Sequence, residues 1–236
     1  MNTFFYLLLF PVLAFSQSNL NDVETLFQNK QYTKAENLIN KFLEEKPNNL
    51  QAIELLGDTY GHQKKWDKAI SEYKKLIEVD ESVANYHYKY GGALGMKALE
   101  NKFKAIGFIG DVKSSFEKAA KLDPNHIEAR WALVELYMQL PSIFGGSKSK
   151  SLHFAEELEN LSKVDGYLAK GYVYEYDDEP GLAEKYYKMA INVGGSLTCF
   201  DKLTTLYESK NQPEKAIANI EEAQKKHNRN ALHYQI

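Results

Sequence analysis

The sequence predicts an all-α fold, a right-handed α-solenoid of about six helix pairs. Apolar residues recur at helical spacing along most of the chain, and the pattern they form repeats at about 34 residues. Residues 53–80, IELLGDTYGHQKKWDKAISEYKKLIEVD, show it most clearly. This stretch contains two apolar helical stripes, with small residues where the two helices approach each other.

The small or turn-facing residues of the first helices place the six pairs in one phase. These residues are Val23, Gly57, Gly91, Val134, Gly171 and Thr204, and the steps between them are 34, 34, 43, 37 and 33 residues. Five pairs also carry a small apolar residue on the second helix: Ala35, Ala69, Val112, Ala183 and Ala216. We therefore predict units at about 20–49, 50–83, 84–126, 127–163, 164–196 and 197–230 within one solenoid of residues 17–236.

This pattern resembles the tetratricopeptide repeat (TPR), an antiparallel helix pair of about 34 residues. The resemblance covers about residues 20–228. It departs from the family in its tryptophans, since neither Trp66 nor Trp131 occupies the usual first-helix position, and in the enlarged third and fourth units. The resemblance implies a surface that binds a protein or peptide.

A second, looser resemblance rests on the stretches YKYGGALGMKA and DPNHIEARWALVELYMQLPSIFGGSKSKS. They are similar to a group of bacterial cell-envelope TPR proteins that carry a Pro-x-Ile-x-Gly-Gly-Ser loop in this place. That resemblance implies an extracytoplasmic setting and no defined reaction.

Local signals mark the ends of the first three pairs. Thr33 and Glu36 have the spacing of a capping box before the second helix of the first pair, and Pro47 follows that helix. The third pair contains nine extra residues, where Gly107 and Gly110 predict an irregular or lengthened turn. We expect the apolar residues of this insertion to pack onto the array or to meet a partner: Phe103, Ile106, Phe108 and Ile109.

The last three pairs carry equally clear boundaries. In the connection from Pro141 to Ser151, Ser147 is expected to cap the following helix. Pro180 and Pro213 stand at helix starts, where the missing N–H of proline costs nothing, and Asn211 is expected to cap before Pro213. Asp177 and Asp178 are expected to interact favourably with the dipole of the helix that follows and to cap it.

Residues 1–16 are interpreted as a secretory signal peptide. An apolar run from Phe4 to Phe15 ends in the small residues Ala14 and Ser16, although no Lys or Arg precedes it. Twelve apolar residues are too few to span a bilayer. We expect an exported chain, periplasmic or secreted, with no stable membrane insertion once the signal is removed. A short membrane-surface anchor or a buried first helix are the alternatives.

Composition bounds the function. The chain has 29 Lys+Arg and 32 Asp+Glu, so no nucleic-acid partner is indicated. Cys199 is the only cysteine, which excludes an intramolecular disulfide, and we expect a half-buried helix residue there. The six histidines include no pair at i, i+4, so the sequence predicts no metal site, and it indicates no cofactor.

The predicted binding surface is the concave face formed by the first helix of each pair. The residues that face inward lie beside the packing stripe, and the candidate partner-binding set is Glu54, Asp58, Tyr88, Trp131, Glu135, Met138, Tyr172, Glu175 and Tyr176. Acidic residues around an aromatic centre favour a protein or peptide segment with apolar and basic side chains. Trp131 and Tyr172 have the alternative of packing only against neighbouring helices.

Other functions remain as alternatives. A glycan or lipid fragment would need an enclosed apolar pocket, with the Gly107 region and the Phe144 connection as a lid. A grip on a terminal carboxylate is disfavoured because Glu54, Asp58 and Glu135 would repel it. The GGSKS segment resembles a phosphate loop only superficially. A hydrolase is the less favoured class, since no two carboxylates are placed as acid and base, and we expect no enzymatic activity.

Overall fold

The computed structural model describes residues 20–100 and 102–227, without the side chains of residues 102–104. In this part of the chain there are twelve α-helices and no strand, which confirms the predicted all-α fold of six helix pairs. The structure therefore does not test the interpretation of residues 1–16 as a signal peptide or the expectation that the Phe103 side chain packs on the array. The tail beyond residue 227 also lies outside the described residues.

The chain divides into two compact units, one ending at Leu76 and the other beginning at Ile77. The first unit contains α1 (Asn21–Gln28), α2 (Tyr32–Glu45), α3 (Leu50–His62) and most of α4 (Trp66–Val79). In it α2 packs against both α1 and α3. The buried side chains include Val23, Ile39, Leu56, Tyr60 and Tyr73.

The second unit contains four further pairs. They are α5 (Ala84–Glu100) with α6 (Lys102–Leu122), α7 (Ile127–Gln139) with α8 (Lys148–Leu161), α9 (Lys163–Tyr176) with α10 (Pro180–Val193), and α11 (Leu197–Ser209) with α12 (Pro213–His227). Consecutive helices pack on each other, and α9 also contacts α7 and α11. The first helices of the last three pairs therefore lie side by side.

Small residues allow the two paired helices to approach each other closely. A Cβ on Gly57 would lie 2.5 Å from the Tyr73 ring, and one on Gly171 would lie 2.3 Å from the Tyr187 ring. On the second helices, Ala35, Ala69 and Ala183 are fully buried. These close contacts explain why the pattern repeats in phase: a larger side chain would separate the helices.

The fourth pair has a small residue that the sequence pattern did not reveal. Ser151 is the fourth residue of α8, as Ala183 is of α10 and Ala216 of α12. It is fully buried, and its hydroxyl donates a hydrogen bond to the carbonyl of Val134 at 2.8 Å. Serine replaces alanine here because the carbonyl of the facing helix supplies an acceptor.

Four pairs share one turn between their helices. Lys30, Lys64, Asp178 and Asn211 each adopt a positive φ, between 54° and 58°. At each turn the following residue donates its N–H to a carbonyl five positions back, as Lys65 does to Tyr60 and Gln212 does to Tyr207. This left-handed residue ends the first helix and reverses the chain in three residues.

The third pair contradicts the expectation of an irregular turn. The nine extra residues lengthen both helices, so α5 has 17 residues and α6 has 21. Gly107 and Gly110 lie within α6, where a Cβ on either would meet nothing within 4 Å. Packing of α6 against α5 stabilises the helix beyond its intrinsic propensity.

Three predicted caps were tested by the structure. Ser147 does cap α8, accepting a hydrogen bond from Lys150 N at 3.3 Å. Thr33 does not cap α2, which begins at Tyr32, and Glu36 instead accepts hydrogen bonds from Gln63 and Lys65. Asn211 adopts the left-handed conformation described above, and Gln212 lies between it and the first residue of α12.

Candidate functional site on the first-helix faces

In the first unit, the two predicted acidic residues lie on α3. Glu54 and Asp58 are both half-buried, one turn apart. Asp58 accepts a 2.7 Å hydrogen bond from the Tyr73 hydroxyl of α4. Burial raises the pKa of Tyr73, and the charge and hydrogen bond of Asp58 raise it further. The carboxylate of Asp58 is thus held by the second helix of its own pair.

In the second unit, α7 contributes Trp131, Glu135 and Met138 at i, i+4 and i+7. The Trp131 ring is half-buried between two apolar clusters, and its Nε1 donates to Asp165 Oδ1 at 3.0 Å. Met138 is buried in the cluster that contains Val134 and Leu158. Of the three, Glu135 is the most exposed and Met138 contributes chiefly to the core.

Next to α7, α9 contributes Tyr172, Glu175 and Tyr176. The Tyr172 hydroxyl accepts a 3.2 Å hydrogen bond from Gln139, and its ring centroid lies 6.0 Å from that of Tyr176. Tyr176 is 52% exposed. Glu175 accepts a 2.6 Å hydrogen bond from the buried Tyr187 hydroxyl, in the way that Asp58 holds Tyr73.

Tyr88 of α5 lies half-buried with its ring centroid 5.0 Å from His126 and 6.0 Å from Phe116. Burial raises the pKa of Tyr88, and the charges of Glu128 and Glu135 raise it further. The charge of Glu135 on α7 therefore acts on a side chain of the preceding helix pair, Tyr88 on α5.

Glu135 also interacts electrostatically with Tyr172 and with Lys202, a residue that the sequence did not predict. Burial raises the pKa of the Glu135 carboxyl, and the charge of Lys202 on α11 lowers it in part. Burial likewise raises the pKa of Tyr172, to which the charge of Glu135 adds. The sequence analysis did not predict Lys202 because this residue lies one position away from the inward-facing residues of α11. A lysine side chain is long and flexible enough to reach the inward face from there.

We call this set the inner patch: Tyr88, Trp131, Glu135, Tyr172, Tyr176 and Lys202. It combines aromatic rings that are partly open to solvent with the exposed carboxylate of Glu135. Such a surface offers apolar contact area and favours positive charge in a ligand. Within the described residues, no group of three His, Cys, Asp or Glu side chains could hold a metal ion.

The other segments considered for chemistry have structural contacts. Lys148 of the GGSKS segment contacts both Asp177 and Glu179 and lies 5.0 Å above the Tyr174 ring. Asp178 pairs with Lys210 at 2.6 Å. Asp177 and Asp178 therefore bind lysines of neighbouring pairs; they do not cap α10, for which Glu179 precedes Pro180 at the first helical position.

Cys199 is fully buried, more than the half-buried position that the sequence indicates. Its Sγ lies 3.3 Å from Ser196 Oγ. Among the described helices, none is both long and apolar enough to cross a bilayer.

Comparison with known proteins supports the repeat assignment. A family model described as tetratricopeptide repeat matches residues 50–83, and no curated protein matches the chain. The fold is similar to that of TTC0263, a thermophilic TPR protein of Thermus thermophilus, with a TM-score of 0.65 at 15% identity over 79% of this chain and 96% of that one.

Two further solved structures have the same fold. PilW, a type IV pilus biogenesis factor, matches with a TM-score of 0.65 at 14% identity, covering 90% of this chain and 93% of that one. YrrB, a TPR protein with an unusual peptide-binding site, matches with a TM-score of 0.51 at 16% identity over 83% and 94% of the two chains. At these identities the likeness shows the TPR solenoid fold alone.

Proposed function

We propose that the chain is a non-catalytic scaffold of the bacterial cell envelope that binds an extended protein or peptide segment on the first-helix face of its second unit. The observation that carries this proposal is the inner patch, where the Tyr172 and Tyr176 ring centroids lie 6.0 Å apart, Tyr176 is 52% exposed, and the carboxylate of Glu135 on the neighbouring helix is exposed. Aromatic side chains at such positions are the usual anchors of a binding surface.

The charge of the patch favours a ligand with basic residues. Glu128, Glu135 and Glu175 lie on the same helix faces as the aromatic rings, and Lys202 is the cation that acts on Glu135. A basic side chain of a ligand would meet these carboxylates, whereas a terminal carboxylate would be repelled. Apolar ligand side chains would contact the tyrosine rings.

Gly92 supports an extended ligand. It lies on α5 one turn after Tyr88, and a Cβ there would meet nothing within 4 Å. Neighbouring Gly91 differs, since a Cβ on it would lie 2.9 Å from Ser115 Cβ. Packing thus requires Gly91 but not Gly92, and an open glycine on a helix surface permits close approach of a ligand backbone.

The comparisons are consistent with this function. YrrB is described as a TPR protein with a peptide-binding site, and PilW as a pilus biogenesis factor. The cell-envelope location rests on residues 1–16 of the sequence, interpreted as an export signal. It is tested by N-terminal sequencing of the chain recovered from the periplasm or medium of a bacterial host, which should begin at Gln17.

A small-molecule function has less support. Two open depressions lie in the second unit, one between α10 and α12 around Asn219 and one beside Asn125. The depression beside Asn125 is lined by Tyr88 of the inner patch, but neither depression contains Trp131 or Tyr172. Both are open to solvent, unlike the enclosed pocket expected for a glycan or lipid fragment.

The experiment is a selection of 12-residue peptides from a displayed random library, followed by fluorescence anisotropy with the enriched peptides. We expect basic peptides with apolar residues, and a loss of affinity of about tenfold or more for Tyr176→Ala and for Glu135→Lys. The matched control is Leu182→Ala, which truncates an exposed apolar residue on the second helix α10.

Equal binding of the peptides to all four proteins would overturn the proposed site. Enrichment of acidic peptides would contradict the proposed charge preference. Failure to enrich any peptide, together with identical envelope captures by wild type and a Trp131→Ala, Tyr172→Ala double variant, would overturn the scaffold function itself.

A further inference from the structure

The fourth and fifth helix pairs each contain a stack of two aromatic rings, one from each helix. The Tyr137 and Phe154 rings are parallel within 7°, with their centroids 5.9 Å apart. The Tyr174 and Tyr186 rings are parallel within 4°, with their centroids 5.5 Å apart. Phe154 and Tyr186 are each the seventh residue of the second helix of their pair. Such a ring pair stabilises the contact between two helices beyond the area that it buries.

The sixth pair keeps the tyrosine but lacks the second ring. Tyr207 of α11 lies three residues after Thr204, at the repeat position of the two stacked tyrosines. Its hydroxyl donates a hydrogen bond to Glu184 of the preceding pair at 3.0 Å. Tyr137 likewise donates to a glutamate of the pair that precedes it, which indicates that the two tyrosines have similar orientations. The seventh residue of α12, however, is Asn219.

A depression lies where this second ring is absent. It has a volume of about 390 Å³ between α10 and α12, and its lining includes Tyr207 and Asn219. Ile191 and Leu203 contribute apolar surface to it. A site of this volume has room for an aromatic group. Because the depression is open to solvent, a side chain presented by another protein can enter it.

Asn219 brings a hydrogen-bond acceptor without a donor into this depression. The residue is only 6% exposed, and its Nδ2 donates to the Phe200 carbonyl at 2.9 Å and to Thr204 Oγ1 at 2.8 Å. A carbonyl oxygen only accepts, so Nδ2 must face it and the amide orientation is fixed. Within the described part of the chain, no group donates to Asn219 Oδ1. A ligand that supplies this donor would remove an unfavourable contribution to the free energy.

The charges around the depression are balanced and paired. Lys188 donates to Glu184 Oε1 at 2.6 Å, and Lys215 donates to Glu184 Oε2 at 3.3 Å. Together with Glu222, the charged residues of the lining sum to zero. A charged ligand group therefore finds no excess of opposite charge here, which favours a neutral donor.

Lys215 does not take the place of the absent ring. Its Nζ lies 5.3 Å from the Tyr207 ring centroid. In the fourth pair, the corresponding Lys150 lies 5.1 Å from the Tyr137 ring centroid, and Phe154 stacks on that ring as well. A lysine over the tyrosine and a second ring beside it are thus compatible in this fold.

We propose that the depression receives a tryptophan side chain of a protein partner, with the indole in the place of the absent ring and its Nε1–H donated to Asn219 Oδ1. The indole nitrogen is a donor only, which matches a site whose one unpaired group is an acceptor. A phenylalanine ring would leave Oδ1 without a donor, and a tyrosine hydroxyl would bring an additional acceptor. Tryptophan is also among the side chains that anchor protein interfaces.

This contact is separate from the inner patch. It lies between the second helices α10 and α12, and none of its lining residues belongs to the inner patch. We therefore expect the two surfaces to bind independently. Loss of binding at one of them leaves the proposal for the other unaffected.

The first experiment selects displayed random peptides on a Tyr176→Ala, Glu135→Lys variant, in which the inner patch is impaired. Peptides that also bind the same variant with Asn219→Phe are removed, because this substitution supplies the ring found in the fourth and fifth pairs. We expect the remaining peptides to contain tryptophan. The matched control is Glu221→Phe, which adds a ring at an exposed position of α12 outside the depression and should retain these peptides.

The second experiment tests the hydrogen bond by changing the peptide. Fluorescence anisotropy compares an enriched peptide with versions that carry 1-methyltryptophan or phenylalanine in place of tryptophan. Each version should bind about tenfold more weakly, since Asn219 Oδ1 then has no donor. With an Asn219→Leu variant, the tryptophan and 1-methyltryptophan peptides should bind equally. Far-UV circular dichroism verifies that each protein variant is folded.

Three results would overturn the proposal: enriched peptides without tryptophan, equal affinity of the tryptophan and 1-methyltryptophan peptides for wild type, or undiminished binding to the Asn219→Phe variant. Failure to enrich any peptide would also overturn it, because solvent would then be the only partner of Asn219. If the chain self-associates with rising concentration in sedimentation velocity and the Asn219→Phe variant does not, the occupant is a second copy and the proposed partner is refuted.

Discussion

Arg130 Nε donates a hydrogen bond to Glu157 Oε2 at 2.8 Å, which ties α7 to α8. The remaining guanidinium nitrogens donate to the carbonyls of Ala120, Asp123 and His126. One buried side chain thus satisfies carbonyls at the end of α6 and joins three helices of the second unit.

Arg130→Met is therefore expected to lower the free energy of unfolding by about 2 to 4 kcal/mol, because the carbonyls and Glu157 lose their partner. Lys121→Met, at an exposed basic residue of α6, is the control and should change stability by less than about 0.5 kcal/mol. Urea denaturation followed by circular dichroism measures both. Equal values for the two variants would contradict the role assigned to Arg130.

Two glycines of the first helices should respond to alanine with opposite sign. In Gly171→Ala the new methyl group meets the Tyr187 ring at 2.3 Å, so stability should fall by about 1 to 3 kcal/mol. In Gly92→Ala nothing lies within 4 Å, and the better helix propensity of alanine should raise stability by up to about 1 kcal/mol. Thermal melting of both variants decides this, and a fall for both would show that Gly92 is also needed for packing.

The left-handed turns predict a stabilising substitution. Lys64 has a φ of 58°, which costs a non-glycine residue about 1 kcal/mol, so Lys64→Gly should raise the melting temperature by a few degrees. Asn211, with a φ of 54°, tolerates this conformation better, so Asn211→Gly should have a smaller effect. The order of the two melting temperatures tests the argument.

The inner patch predicts a pH-dependent contribution to stability. Burial raises the pKa of Glu135 above its usual 4.5, so its ionised form is disfavoured in the folded state. The resulting loss of stability is absent at pH values below the unfolded pKa and is fully present above the folded one. Glu135→Gln should therefore gain stability relative to wild type as the pH rises from about 3.5 to 7, which urea denaturation at a series of pH values measures.

The same carboxyl can be followed directly by NMR titration. Since Lys202 lowers the pKa of Glu135, Lys202→Gln should move that pKa further upward, while Lys225→Gln on exposed α12 should leave it unchanged. A titration of Glu135 that is identical in all three proteins would show that Lys202 is not part of the inner patch.

The phase of the helices could be predicted from sequence because small residues at Gly57, Gly171 and their equivalents are required by close contacts. Ser151 was not recognised because the pattern was defined by small apolar residues, and serine is small but polar. The extended α5–α6 hairpin was mispredicted because Gly107 and Gly110 suggested a turn, whereas packing between the long helices overrides local propensity.

For the candidate site, the helical periodicity of the sequence identified Tyr172 and Tyr176, because the face of the helix on which a residue lies follows from its position in the repeat. It could not identify Lys202, since the reach of a long side chain is set by the neighbouring helix. It also could not separate Met138, which is buried in the core, from the exposed Glu135 three residues before it.

The recurring left-handed residue between paired helices has a consequence for how such a chain can evolve. In this turn an N–H donates to the carbonyl five residues before it, so inserting or deleting one residue would remove that hydrogen bond and the chain reversal that depends on it. New segments can therefore be acquired only where this connection has been abandoned. In this protein those places are the third and fourth pairs, which makes them the natural positions for grafting foreign loops into the scaffold.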